Sequence, residues 1–265
     1  MEKKVSAADI QALRRTTGAG ILDARRALEE TDNDIEKAKL WLREHGLASA
    51  AKRGDRERTE GAVAVVVAAG AGAVVALECE TDFVAKSAEF VTLVDALAES
   101  LASAGEAGLA AHAAEIDQLK IALKENIAVG AHDRFESDGE TVLDSYLHVQ
   151  NGRGVNGVLV ELANGSAELA HEIAIHIAFA RPEYLRREDV PENVIAAERE
   201  TIANIARNEG KPDDQLDKII NGRLNGWFKE RVLLDQGFAR DDKKTVAQIL
   251  GDAEVRRFAQ VVVGA

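Results

Sequence analysis

GAVAVVVAAGAGAVVALECETDFVAKSAEFVTLVDALAESL, residues 61–101, carries two structural periods in one stretch. Ala62 to Ala69 and Ala73 to Glu78 are runs of Ala and Val on either side of Gly70-Ala71-Gly72, a pattern that predicts two strands of a hairpin. From about Ser87 the apolar positions take helical spacing, with Phe90, Val91, Val94, Leu97 and Leu101 on one stripe. Between the two lies Cys79-Glu80-Thr81-Asp82-Phe83-Val84, so this string falls on a strand-to-helix turn. The chain has only two tryptophans, two tyrosines and seven phenylalanines in 265 residues, which gives an aromatic at a turn more weight than usual.

Upstream, the period is helical throughout. Ser6-Ala7-Ala8-Asp9 fits an N-cap followed by an acidic third position, and Ile10, Leu13 and Thr17 follow at helical spacing before Gly18-Ala19-Gly20 breaks the helix. A second helix is predicted from Ile21 through Leu28. A third begins near Asp32-Asn33-Asp34, with Ile35, Ala38 and Leu42 on one face and Gly46 as its C-cap. Ala48 to Glu60 has lost the apolar period and reads as a solvated linker or an extended helix end. Charge marks the same boundary: residues 1–58 hold 13 basic and 11 acidic residues, and the remainder 20 basic and 35 acidic.

Downstream, a Gly/Ala-rich connection leads to a helix near Glu115 to Glu125, and Asn126-Ile127-Ala128-Val129 begins another strand. Thr141 to Val149 and Val155 to Ala163 are strands separated by the loop Gln150-Asn151-Gly152-Arg153-Gly154, and a helix follows with Leu169, Ile173 and Ile177. Strand, strand, helix thus occurs twice, which predicts an α+β fold with helices packed on antiparallel sheets. Pro191 to about Phe228 reads as a helical hairpin broken at Asn208-Glu209-Gly210-Lys211-Pro212. Its apolar faces fit an intramolecular arm or a dimer contact equally. The tail returns through Thr245 to Leu250 and a last strand, Phe258 to Val263.

The net charge of −13 disfavours nucleic acid as a partner, because such affinity comes largely from cationic side chains releasing counterions. Apolar segments are short or interrupted by charge, and Met1-Glu2-Lys3-Lys4-Val5 leads into a helix rather than a signal peptide, so no membrane and a cytoplasmic location are expected. Cys79 stands alone and allows no internal disulfide. No ligand spacing for a metal, nucleophile elbow or phosphate loop is present, so neither a cofactor nor an enzyme is expected. Cys79 is expected to be a small buried strand residue, His171 and His176 to line helix surfaces, and Arg25-Arg26 and Lys52-Arg53 to be solvated.

Three features coincide in order and spacing: Arg15-Thr16-Thr17-Gly18-Ala19-Gly20-Ile21-Leu22-Asp23, the turn Glu80-Thr81-Asp82-Phe83-Val84-Ala85-Lys86, and Gly157-Val158-Leu159-Val160. With them the whole chain resembles the family of bacterial translation elongation factor Ts. The resemblance implies a ubiquitin-associated-like three-helix domain with linker over residues 1–55. It also implies a core of two related subdomains, at 56–140 and at 141–190 with 229–265, and a coiled-coil hairpin at 191–228 inserted in the second. It further implies a partner, the GTPase elongation factor Tu, whose GDP release the chain would promote without binding nucleotide itself, and it allows a homodimer of the complex.

Carried over by position, Asp82 and Phe83 correspond to residues that intrude near the magnesium and switch region of the GTPase, with Thr81 and Val84 completing the motif. Ile21, Leu22 and Asp23 match an N-terminal contact region, and His148 a core histidine near the partner. Residue types alone favour a different assignment, with Phe83 in its own core and Asp82 capping the next helix; the resemblance reverses it. A binding module without exchange activity is the competing class.

Overall fold

The computed structural model describes residues 5–68 and 70–264. Met1 to Lys4, read above as leading into a helix, and Ala69, read as the end of the first strand, lie outside the described residues.

Side-chain caps set the first helix starts. Ser6 accepts a hydrogen bond from the Asp9 amide and opens α1 (Ala7–Thr17), α2 spans Ile21–Glu30, and Asp34 accepts from the Glu36 and Lys37 amides to open α3 (Ile35–Ala51). Leu13, Ala24, Ala27, Leu28, Ala38 and Leu42 form the core of this unit. Gly46 is not a cap, because α3 runs five residues past it. A Cβ there would stand 2.8 Å from the Ile121 side chain. Glycine at this position lets α3 lie close against the helix that carries Ile121. Arg53, expected in solvent, instead donates to the Lys120 carbonyl at 3.1 Å.

Two three-stranded antiparallel sheets follow. The first consists of β1 (Glu60–Ala68), β2 (Ala71–Cys79) and β3 (Ala128–Glu136), with Gly72 a strand residue opposite Val67 rather than part of the turn. Between β2 and β3 the chain forms a helical turn α4 (Asp82–Ala85) and helices α5 (Ala88–Ala104), α6 (Glu106–Ala111) and α7 (Ala113–Leu123). Helix α6 occupies the Gly/Ala-rich connection.

The second sheet consists of β4 (Thr141–Gln150), β5 (Arg153–Ala163) and β8 (Glu254–Val262). Gln150 pairs with Arg153, so the expected five-residue loop narrows to Asn151-Gly152, whose positive φ angles of 54° and 80° suit a two-residue hairpin turn. Between β5 and β8 lie α8 (Ala167–Ala180), α9 (Glu192–Asn208), α10 (Leu216–Arg231), the short strands β6 (Gly237–Phe238) and β7 (Asp241–Thr245), and α11 (Val246–Leu250).

The strands explain why residues 62–79 are apolar without alternation: each sheet is buried on both faces. Ala62, Ala64, Val75 and Leu77 face Phe90, Val94, Leu97 and Leu101 of α5, while Val63, Val74 and Ala76 join Leu159 and Val261 of the second sheet. On the far side Val158, Val160 and Leu162 meet Ile173 and Ile177 of α8. The result is a helix, sheet, sheet, helix stack, an α+β fold of antiparallel sheets. Helices α9 and α10 bury Ile202, Ala206, Ile220, Leu224 and Phe228 in a separate core. Among the described residues no helix is long and apolar enough to cross a membrane.

Candidate functional site

At the end of β2 the sheet pairing runs out: Cys79 is the last residue opposite β1, and Glu78 the last opposite β3. The backbone N–H groups of Glu80 and Thr81 therefore need other acceptors, since an orphaned amide is costly. Both donate to Glu125 Oε2, at 3.0 and 3.1 Å, and the Thr81 hydroxyl donates to Glu125 Oε1 at 2.5 Å. Thr81 Oγ1 in turn accepts from the Val84 amide and caps α4. The cap is thus Thr81, not Asp82. Cys79 is buried, as expected, and its thiol donates to the Thr81 carbonyl at 3.2 Å. Burial pushes that thiol up to about 12, with the nearby Glu125 charge acting in the same direction.

Val84 and Ala85 turn inward to the first sheet's core, which leaves the other two residues of the motif outside. Phe83 is 84% exposed. Asp82 receives the Lys86 ammonium at 2.5 Å, and that hydrogen bond holds its carboxyl below the usual carboxylate range, so it is ionised at neutral pH. The assignment of Phe83 to its own core is therefore wrong for this chain. A turn with a fixed backbone presents one large apolar ring and one carboxylate to solvent.

Asp82 also lines a groove of about 940 Å³ whose other wall is the second sheet and α8. His148 stands on its rim, exposed, 3.5 Å from the Tyr146 hydroxyl. The floor includes Arg153, which is buried and held by the Gly61 carbonyl at 2.7 Å and Glu60 at 2.6 Å. Asp82 of the motif and His148 are thus brought to one groove, which Thr81, Phe83 and Val84 do not line. Phe179 at the end of α8 lines it too and is 79% exposed, and the sequence reading missed it. The only signal was its place in the apolar run of α8, which marks no face.

Ile21 and Leu22 are exposed at the start of α2, the latter at 79%. They do not line that groove. Asp23 is engaged by Lys124 Nζ at 2.8 Å, so adjacent residues, Lys124 and Glu125, hold the start of α2 and the motif turn respectively. His176, expected on a helix surface, is buried between Gln236 and the Ala239 amide. Among the described residues no group of three or more His, Cys, Asp or Glu side chains converges to hold a metal ion.

Comparison with known proteins gives a consistent match. The family model described as Elongation factor TS covers residues 80–265. A protein named Elongation factor Ts from Clavibacter michiganensis is 43% identical over 275 residues, 98% of this chain and 98% of that protein. One from Beutenbergia cavernae is 45% identical over 281 residues, 98% of this chain and 99% of that protein. The Streptomyces avermitilis protein of the same name is 40% identical over 276 residues, covering 98% of each.

Proposed function

From the fact that this chain belongs to the elongation factor Ts family, and so to the translation elongation factors, we propose that it is the guanine nucleotide exchange factor for elongation factor Tu. On this reading the Asp82-Phe83 turn is the part pressed into that GTPase, near its magnesium and switch region. The observation that carries it is Phe83, a large apolar side chain 84% exposed on a backbone anchored at both ends.

An exchange factor makes and breaks no covalent bond, so the chain acts as a binding protein rather than an enzyme and holds no nucleotide or cofactor. It binds the nucleotide-free GTPase more tightly than the loaded form, and by reciprocity each ligand weakens the other. A phenyl ring entering an apolar slot contributes roughly 1.5–3 kcal/mol, about tenfold to a hundredfold on an equilibrium if the slot exists only in the displaced conformation. Ionised Asp82 competes for donors around the magnesium ion, whose demand for near-octahedral oxygen geometry makes it sensitive to small shifts. Thr81 and Val84 take a different part: one is committed to Glu125 and the other to the core, so both fix the turn rather than reach outward.

Ile21 and Leu22 supply a second, apolar contact, with Asp23 holding their helix to the core. His148 and Phe179, which line the same groove, supply a third. In the organisation that goes with this reading, residues 1–55 are the ubiquitin-associated-like domain. Residues 56–140, and 141–190 with 229–265, are the core subdomains, and 191–228 are the coiled-coil arm, a candidate surface for a homodimer of the complex. The place of action is the cytoplasm.

The test is release of labelled GDP from elongation factor Tu, stimulated by the wild-type chain and by Phe83→Ala. Stimulation is expected to fall tenfold or more, on the scale above, with thermal unfolding unchanged. Unchanged release by a folded variant would leave a binding module without exchange activity.

A further inference from the structure

The sequence places Glu125 44 residues from Thr81, yet its carboxylate takes all three donors offered by the entry to the motif: the Glu80 and Thr81 amides and the Thr81 hydroxyl. No strand is paired with the chain at these residues, so the carboxylate stands where a ladder acceptor would stand. The contact is returned. Glu80 Oε1 accepts from the Asn126 amide at 2.7 Å, and the buried Asn126 side chain donates to the Gly54 and Arg56 carbonyls at 3.0 and 2.7 Å. The Arg56 guanidinium lies 3.3 Å from the other oxygen of the Glu80 carboxylate. Residues 80–81 and 125–126 thus form a two-way clasp. On its outer side Lys124, in the left-handed conformation at φ 59°, reaches Asp23.

We propose that Glu125 is a positioning residue of this protein, which fixes the direction in which Asp82 and Phe83 project by holding the backbone at Glu80 and Thr81. The inference rests on the exchange reading above and deepens it. The motif begins at an unpaired strand end followed by four helical residues, and one turn of helix is too short to hold itself. Its inner side is held by Val84 and Ala85, the Thr81 carbonyl by the Cys79 thiol, and the Glu80 and Thr81 amides at its entry by Glu125. A hydrogen bond to an ionised acceptor is roughly twice as strong as one between neutral groups, which suits a carboxylate to the task. Without it, Phe83 keeps its exposure and loses its aim, and the ordering must be supplied at the moment of binding.

The test uses the full chain with Glu125→Ala and Glu125→Gln, alone and combined with Phe83→Ala, in two measurements. In the free protein, amide hydrogen exchange at Glu80 and Thr81 is expected to accelerate about tenfold in Glu125→Ala, while the Leu77 amide in mid-strand keeps its protection. Glu125→Gln, which retains an acceptor oxygen for the amides, restores most of it. In the GDP-release assay Glu125→Ala is expected to lower stimulation about tenfold, equivalent to about 1.4 kcal/mol. The loss should vanish in the Phe83→Ala background, because both changes remove the same contact.

Unchanged amide protection at Glu80 and Thr81, or losses that multiply in the double variant, would overturn the positioning role. If instead Phe83→Ala alone retains full stimulation, it is the exchange reading that fails, and the amide measurement still decides whether Glu125 holds the turn.

Discussion

The core makes the same junction twice, from the central strand of a sheet into the helix that covers it, and solves it in two ways. From β5 to α8 the chain needs only residues 164–166, with Asn164 in the left-handed conformation, Gly165 tucked against Leu162, and Ser166 capping the helix. From β2 to α5 it uses residues 80–87, ending on an equivalent cap, Ser87. The five additional residues are not required to connect a strand to a helix in this fold. They carry an extra helical turn, an exposed phenylalanine, an ion pair and a carboxylate anchor recruited from elsewhere in the chain. The short junction serves the fold. The long one is built for presentation.

The sharpest way to break that distinction compares two phenylalanines seven residues apart. Phe90 is fully buried in the first sheet's core, and Phe90→Ala is expected to cost about 3–5 kcal/mol. Phe83→Ala, at an exposed position, is expected to stay within about 0.5 kcal/mol in stability while losing exchange. Chemical denaturation beside the GDP-release assay checks both. A large stability loss in Phe83→Ala would make the long junction structural after all.

Next in size is Gly165→Ala in the short junction. A Cβ there would stand 2.3 Å from Leu162 Cδ2 and 3.1 Å from Ala253 Cβ, so the core must shift, at about 1–3 kcal/mol. Thermal unfolding should record the loss, with GDP release untouched at temperatures where the variant is folded.

The two threonine and serine caps give the closest match. Ser166 accepts from the Leu169 amide and Thr81 from the Val84 amide, and replacing either by Ala removes a cap worth about 1 kcal/mol. Ser166→Ala should lower only the unfolding temperature. Thr81→Ala should lower it similarly and reduce GDP release as well, because the same hydroxyl donates to Glu125. Equal effects of the two variants on GDP release would remove the contrast between the junctions.

Much of this was legible in the sequence, for reasons that differ by residue. The hairpin at 60–79 could be read because Ala/Val runs bounded by glycine have few alternatives, and the place of Thr81–Val84 followed from the change of period at Ser87. The exposure of Phe83 could not: residue type favours burial, and what turns the ring outward is that Val84 and Ala85 take the inward positions. Glu125 was hidden by distance along the chain, since a side chain accepting from backbone amides leaves no periodic trace. Gly46 was misread because glycine marks both a helix end and a close helix contact, and only the position of Ile121 separates them. His176 sits in the run Ile173 to Phe179, which is apolar on nearly every face and so gave no sign of which side was inward.

His176 also supplies the smallest of the expected effects, and one that separates the halves by chemistry. Its Nδ1 accepts from the Ala239 amide at 3.1 Å, so Nε2 carries the proton and donates to Gln236 Oε1 at 3.0 Å. Gln236 is oriented for this by giving its own amide to the Glu230 carbonyl at 2.8 Å. A second proton would have to enter at Nδ1, break the Ala239 bond and charge a buried ring, and burial accordingly holds the imidazole below its ordinary value. The unfolded chain then binds more protons below about pH 6.5, so the stability from neutral His176 is fully present above that pH and declines as the pH falls toward the lowered folded-state value. Linkage limits the loss to about 0.8 kcal/mol at pH 6. Thermal unfolding of the wild type at pH 7.5 and pH 6, set against His176→Gln, should show a wild-type decline that the variant flattens. Amide exchange should place the acid-weakened region in α8 and the 236–239 segment, leaving the Phe83 junction unchanged. An acid-induced loosening of the long junction instead would mean that the two halves do not titrate separately.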